Sequence, residues 1–188
     1  MLLDGSTEGD AEMARMAGLL RDVLQASKQS FEWIELRNLG IAPCTGCFGC
    51  WTKTPGTCVQ DDDARRIMQA WMSSNVVVLF SRISFGCYSS LMKQALDRQI
   101  GMLLPYYSST RTGVEHLPRY EHYPSLLALG VCSERDQQVD LTFKRLVSQN
   151  GRTLRAFHAR SQVLCGGEKD ESLREKIESS IMGMKVRQ

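Results

Sequence analysis

"NVVVLFSRISFGCYSSLMKQALDRQI", residues 75–100, runs from an unbroken apolar, β-branched stretch through a loop of small hydroxyl residues into a helical pattern. A strand with no polar face has to be covered on both sides, as happens in a parallel sheet with helices packed on each face. The same pattern extends in both directions along the chain. "SLLALGV" (125–131) reads as a second buried strand, "FEWIEL" (31–36) and "TLRAFHA" (153–159) as two more, and "MLLD" (1–4) as a short first one. Helical spacing fills the intervals. Residues 11–26 put Met13, Met16, Leu20, Val23 and Leu24 on one face, and residues 89–100 form a further helix. Residues 61–74 put Ala64, Ile67, Met68 and Trp71 behind Asp61, Asp62 and Asp63, which suit N-cap or first-turn positions. Residues 137–151 make a helix closed by a left-handed cap at Asn150-Gly151, and Leu173, Ile177 and Ile181 mark a last surface helix.

Strands alternating with helices imply right-handed crossovers. With about five strands the expected architecture is α/β: a doubly wound, five-stranded parallel sheet in three layers, of flavodoxin-like order. At 188 residues the chain suits one domain, residues 1–188. Its composition is 43% hydrophobic and 23% charged, with net charge +2, which gives no reason to expect nucleic acid or a membrane surface as partner. The opening "MLLDGSTEGDAEMARM" meets glycine and acid too early for a secretion signal, and no window approaches the roughly 18 apolar residues of a membrane span. A cytoplasmic protein is expected.

In a sheet of this order ligands sit beyond the carboxyl ends of the strands, where strand order reverses. Three loops therefore matter: residues 5–11, 81–90 and 130–135. The first, "GSTEGDA", joins backbone-exposing Gly5 and Gly9 to the hydroxyls of Ser6 and Thr7 and to Asp10 at a helix N-terminus, a setting that favours phosphate; a plain N-cap turn accounts for the same residues. The second, with Ser81, Arg82, Ile83, Ser84, Phe85, Gly86 and Tyr88, suits a flat shelf for a ring system, unless Phe85 and Tyr88 fold into the core.

Seven cysteines include a bunched set, Cys44, Cys47, Cys50 and Cys58. In a reducing compartment such bunching favours metal or catalytic use over a disulfide framework. A compact triple with a more distant fourth matches [4Fe-4S] spacing. A structural zinc site or simple loop packing are the other readings. The separate Cys87, Cys132 and Cys165 suit small buried hydrophobes. His116, His122 and His158 are too scattered for a metal site, and no spacing suggests a hydrolase. Residues 103–124, rich in Tyr and Arg, make a long connector fit to cover a ligand or form a subunit contact.

"APCTGCFGCWTKTPGTCVQDDDARRI" followed by "VVVLFSRISFGCYSSLMKQALDR" resembles the flavodoxin-like NADPH-dependent FMN reductase family, with its multimeric flavodoxin and iron-sulfur flavoprotein branches. The resemblance covers most of the chain, from Asp4 to about Gly167. It implies FMN, with the phosphate on residues 5–11 and the isoalloxazine against residues 81–88 and the loop near Cys132. It further implies electrons passed from NAD(P)H to a flavin, quinone or redox-partner acceptor, small-molecule donor and acceptor as partners, and a homodimer or homotetramer. The iron-sulfur branch implies a carrier with a cluster on the four cysteines, whereas Trp51 and "KTPG" resemble reductases in which that loop packs. The chain departs from the family pattern at Thr7-Glu8, where Pro-Arg is usual, and at Ser81-Arg82, where Thr-Pro is usual. Arg82 is expected to supply charge near the flavin or to face solvent.

Overall fold

The run at residues 76–80 becomes the middle strand of a parallel sheet. The computed structural model describes residues 1–110 and 113–186. In chain order the elements are β1 (Leu2–Asp4), α1 (Ala11–Ala26), β2 (Trp33–Glu35), α2 (Gly49–Thr52), α3 (Ala64–Met72), β3 (Val76–Ser84), β4 (Cys87–Tyr88), α4 (Ser90–Asp97), β5 (Leu103–Thr110), β6 (Gly113–Pro118), β7 (Ser125–Cys132), α5 (Gln137–Thr153), β8 (Ala159–Cys165) and α6 (Asp170–Met182). The strands line up as β2-β1-β3-β7-β8, all parallel, with β4 folded back antiparallel on the end of β3. This is the flavodoxin-like order, and its reversal falls between β1 and β3.

Alternation along each strand sorts the core into two layers. Leu3, Val77, Leu79, Leu126 and Ala128 face α3, α4 and α5, meeting Ile67, Trp71, Met92, Phe143 and Val147. Leu2, Val78, Phe80, Leu127 and Leu129 face α1 and α6, meeting Met13, Met16, Leu20, Leu173 and Ile177. All eight residues of β7 are buried, as a strand covered on both faces requires. No helix among the described residues is long and apolar enough to cross a membrane.

Four sequence expectations shift. The last strand is Ala159–Cys165 rather than residues 153–159, because its register is set by β7, with Leu126 opposite Ala159 and Cys132 opposite Cys165. The α5 helix does not cap at Asn150-Gly151 but continues to Thr153, and the left-handed residue is Arg155 at φ +56°. Gly151 is there for contact: a Cβ would collide with that of Ala159 on β8. Strand β2 spans only residues 33–35 of the expected 31–36. The connector at 103–124 carries two strands paired antiparallel, β5 with β6, whose alternation in sequence is hidden by Pro105 and Pro118.

Candidate functional site

Three loops leave the carboxyl edge of the sheet side by side, and their chemistry starts at Asp4. This buried carboxylate ends β1 and accepts from the Ser6 amide at 2.8 Å, from the Ser6 hydroxyl, and from Trp33 Nε1 at 3.1 Å. It pins the first residues of the loop, while the Gly5 amide donates to Phe80 O at 2.8 Å. Thr7, Glu8 and Gly9 then turn outward, exposed, with Gly9 at φ +79° and nothing within 4 Å of where its Cβ would stand. Asp10 caps α1 by accepting from the Met13 amide at 3.0 Å.

A cleft of about 270 Å³ opens between this loop and the end of β3, lined by Gly5, Thr7, Asp10, Met13, Arg82, Ser84, Ser89 and Ser90. Its cation is already engaged. Arg82 grips Asp10 bidentately, with Nε at 3.0 Å from Oδ2 and Nη2 at 2.6 Å from Oδ1, and also pairs with Glu12. Partial burial pulls the Asp10 carboxyl upward, but hydrogen bonds from Arg82 and the Met13 amide outweigh it and hold the group below the usual carboxylate range. Ser133, in the loop after β7, joins the network by donating to Glu12 at 3.1 Å. Arg82 is thus neither free charge nor a solvent-facing side chain.

The structure gathers Gly5, Thr7, Asp10, Arg82 and Ser84 in the cleft, with Ser6 directly beneath the loop. Ser81 is buried and accepts from the Ser89 amide at 3.0 Å, which ties the end of β3 to the start of α4. Ile83 is half-buried on the same strand. Phe85 lies fully in solvent at φ +50°, so it is not a core residue. Gly86 turns its back to the cleft: at φ +76°, a Cβ would stand 2.8 Å from Thr142 Cγ2 of α5. Tyr88 is buried edge-on to Phe143, with Asn150 Nδ2 donating to its hydroxyl at 3.4 Å. Cys132 lies buried beside Cys165. Sequence reasoning did not single out Glu12, which pairs with Arg82, or the lining residues Met13, Ser89 and Ser90, although Ser89 and Ser90 lie in the 81–90 loop and, as hydroxyls opening a helix, carried a readable signal.

The four bunched cysteines lie along a separate loop. Cys44 and Cys47 are exposed, Cys58 is half-buried and Cys50 is buried in α2. The Cys47 thiol is lowered by hydrogen bonds, first from the Gly49 backbone and then from Thr45. The Cys50 thiol is pushed up by burial and then by the charges of Cys58, Cys44 and Cys47. Among the described residues no group of three or more His, Cys, Asp or Glu is placed to hold a metal ion. The loop is held instead by Arg98, whose side chain is only 1% exposed. Its guanidinium donates to Asp62 at 2.8 and 2.9 Å and to Ala42 O at 2.5 Å. Asp62 was expected as a cap or first-turn acid; it accepts from the Ala64 amide at 3.1 Å but chiefly serves this pair. Trp51 Nε1 reaches Leu103 O at 3.0 Å, and a ring ladder of Phe48, Trp51, His116 and Tyr107 joins the loop to β5 and β6.

A second cleft, about 250 Å³, lies at the amino edge of the sheet beside Asn75, Tyr123, Ser125 and Phe157. Ligands of doubly wound sheets bind at the opposite, carboxyl edge, which favours the cleft at Arg82.

Comparisons with known proteins bear on the family and the fold. The model of the NADPH-dependent FMN reductase family matches residues 1–104. An iron-sulfur flavoprotein of Methanocaldococcus jannaschii is 28% identical over 98 residues, half of each protein, so the chain spans about half the length of that curated relative. Among solved structures, a protein of Klebsiella pneumoniae described as a quinone reductase superposes with a TM-score of 0.70 at 11% identity, covering 98% of this chain and 85% of that one. An NAD(P)H:quinone oxidoreductase of Methanothermobacter marburgensis gives 0.67 at 11% identity, covering 94% and 93%. An FMN-dependent NADH-azoreductase of Bacillus anthracis, in complex with FMN, gives 0.60 at 12%, covering 96% and 93%. The structural likenesses establish a shared flavodoxin-like fold. The family match spans β1, its loop, β3 and the start of α4, the segments that build the cleft, and by that match the chain belongs to the NADPH-dependent FMN reductase family.

Proposed function

We propose that the protein is an oxidoreductase that binds FMN noncovalently and passes electrons from NAD(P)H to a flavin, a quinone or a redox partner. One observation carries this reading: the residues matched by the family model include both loops that line the cleft at the point of strand-order reversal. The residues present suit a phosphate-ended ligand. Thr7, Ser84, Ser89 and Ser90 bring hydroxyls into one cleft with the Arg82 guanidinium, next to the N-terminus of α1, and no side chain fills the space over Gly9. At about 270 Å³ the cleft falls short of the roughly 300–1,000 Å³ typical of sites that enclose a whole ligand. It suits the phosphate and adjoining chain, and leaves a ring system to the exposed surface at Ser84 and Phe85.

The bound flavin supplies the hydride and single-electron chemistry. The chain itself binds and orients it: Asp4 fixes the start of the loop, Ser81 and Ser89 fix the far wall, and Arg82 balances Asp10 and Glu12. In this reading residues 1–188 act as one cytoplasmic unit. It works as a homodimer or homotetramer, a state supported by Tyr106, Tyr107 and Val114, all at least 60% exposed on the β5–β6 pair. The test is the absorbance spectrum of the purified protein together with NADH and NADPH oxidation in the presence of a quinone or added FMN. Flavin bands and acceptor-dependent oxidation are expected; FMN that neither co-purifies nor binds in titration would sink the reading.

A second reading, an electron carrier with a [4Fe-4S] cluster on Cys44, Cys47, Cys50 and Cys58, rests on the likeness to the iron-sulfur flavoprotein of M. jannaschii and on the cysteine spacing. Iron and acid-labile sulfide measured in anaerobically prepared protein separate the two.

A further inference from the structure

Two cysteines outside the bunched set meet in the sheet. Cys132 ends β7 and Cys165 ends β8, and the parallel register places them directly opposite each other. Their sulfur atoms are 3.0 Å apart, and the residues are only 8% and 4% exposed. Neighbouring strands lie about 4.8 Å apart, within the roughly 4.4–6.8 Å between Cα atoms that a disulfide tolerates. Both side chains project to the α5 face of the sheet, so the sulfurs need to approach by only about 1 Å to reach the ~2.05 Å bond length. A bound ion would need more partners. Among the described residues no third His, Cys, Asp or Glu completes a ligand set with this pair.

From this geometry we propose that Cys132 and Cys165 form a dithiol modification site that a low-molecular-weight disulfide oxidises to an intramolecular Cys132–Cys165 bond. The chemistry balances in two exchanges. One cysteine thiolate attacks the small disulfide, displacing one thiolate of the reagent and forming a mixed disulfide. The second cysteine thiolate attacks the sulfur of the first, displacing the other reagent thiolate. The two protein protons end on the released thiols, the protein loses two electrons and the reagent gains them.

Surroundings set the pace. Burial, and then the Cys165 thiol, push Cys132 up to about 12, and its S–H points to Leu164 O at 3.7 Å, so Cys132 rests as the thiol. Little thiolate and little access mean oxidation over hours rather than minutes. The loops that follow the two cysteines are already clasped. Arg135 Nη2 reaches Glu168 at 3.4 Å, Glu168 accepts from the Cys165 amide at 3.1 Å, and the Gly166 amide donates to Cys132 O at 2.9 Å. The bond therefore forms between positions that other contacts already hold in register.

The experiment uses the chain of residues 1–188, folded and reduced. Accessible thiols are first alkylated, removing the exposed Cys44 and Cys47 from competition. The protein is then incubated with glutathione disulfide and digested with trypsin without reduction. Cleavage after Arg119, Arg135, Arg160 and Lys169 leaves each cysteine alone in its peptide. The expected product is residues 120–135 joined to residues 161–169, two hydrogens lighter than their sum, with two fewer titratable thiols per chain. Recovery of both peptides as free thiols, as separate glutathione adducts, or joined to other cysteines would overturn the proposal.

Discussion

Removing the Arg98 guanidinium should loosen the cysteine-bearing loop by an amount that the structure allows to be worked out. In Arg98→Leu, Asp62 loses donors at 2.8 and 2.9 Å and Ala42 O loses its donor, yet the carboxylate keeps the amides of Ala42 at 3.0 Å and Ala64 at 3.1 Å and is 14% exposed. Breaking a buried ion pair costs about 3–5 kcal/mol, and these surviving amides place this variant near the lower end, about 3 kcal/mol. Asp62→Ala leaves the opposite orphan, a guanidinium that is 1% exposed and cannot shed its proton, so its cost should reach about 4–5 kcal/mol. With a urea m-value of about 2 kcal/mol/M the midpoint falls by about 1.5 M for Arg98→Leu and further for Asp62→Ala. Emission from Trp71, 2% exposed on α3, follows the transition. The pH dependence has a definite sign. Partial burial raises the Asp62 carboxyl, but Arg98 and the two amides outweigh it and depress it. Its stabilising contribution is therefore full above the unfolded value near 3.9 and is lost as pH falls through the lower folded value. The gap between wild type and Arg98→Leu should be widest near pH 7 and narrow below about pH 4. A midpoint shift under about 0.3 M, or a gap unchanged between pH 7 and pH 3, would refute the reasoning.

Asp10→Asn keeps a good N-cap for α1 while releasing one of the two carboxylates on Arg82, so FMN, followed by fluorescence quenching, should bind roughly 3- to 10-fold more tightly, whereas weaker or unchanged binding would count against Arg82 as a phosphate partner. Gly86→Val combines a left-handed backbone with a collision at Thr142 and should cost about 2–4 kcal/mol in the flavin-free protein; a loss of FMN affinity without a loss of stability would return Gly86 to the cleft. Cys47→Ser should leave the flavin spectrum and NAD(P)H oxidation nearly intact, and close to four irons per chain in the anaerobic wild type, lost in this variant, would favour the cluster reading instead.

What could be read from the sequence was whatever one element decides alone. Residues 76–80 and 125–131 announce strands covered on both faces because burial on two sides leaves no polar alternation, and the faces of α1 and α3 follow from 3.6-residue spacing. What failed was decided by a neighbour. Strand β8 opens with Ala159, Arg160, Ser161 and Gln162, half-buried at the sheet edge, so the apolar "LRAF" just before it makes the better-looking strand until pairing with β7 fixes the register. Gly151 looked like a cap because glycine usually ends helices, but here it clears space for Ala159. The lining of the candidate cleft divides in the same way. Gly5, Thr7, Asp10 and Ser84 could be found from their loops, whereas the grip of Arg82 on Asp10 and the meeting of Cys132 with Cys165 depend on strand order and register.

Strand β1 has a consequence in time. Its three residues lie between β2 and β3, and Leu2 is paired on one side with Trp33 and on the other with Val78. A growing chain makes this segment before either of its partners, and it has no neighbour on its inner side until β3 has been synthesised; closing so long a loop is slow compared with pairing nearby segments. The turn that follows Asp4, whose Gly5 amide donates to Phe80 O, therefore takes shape only after a segment some 75 residues further along the chain has joined it.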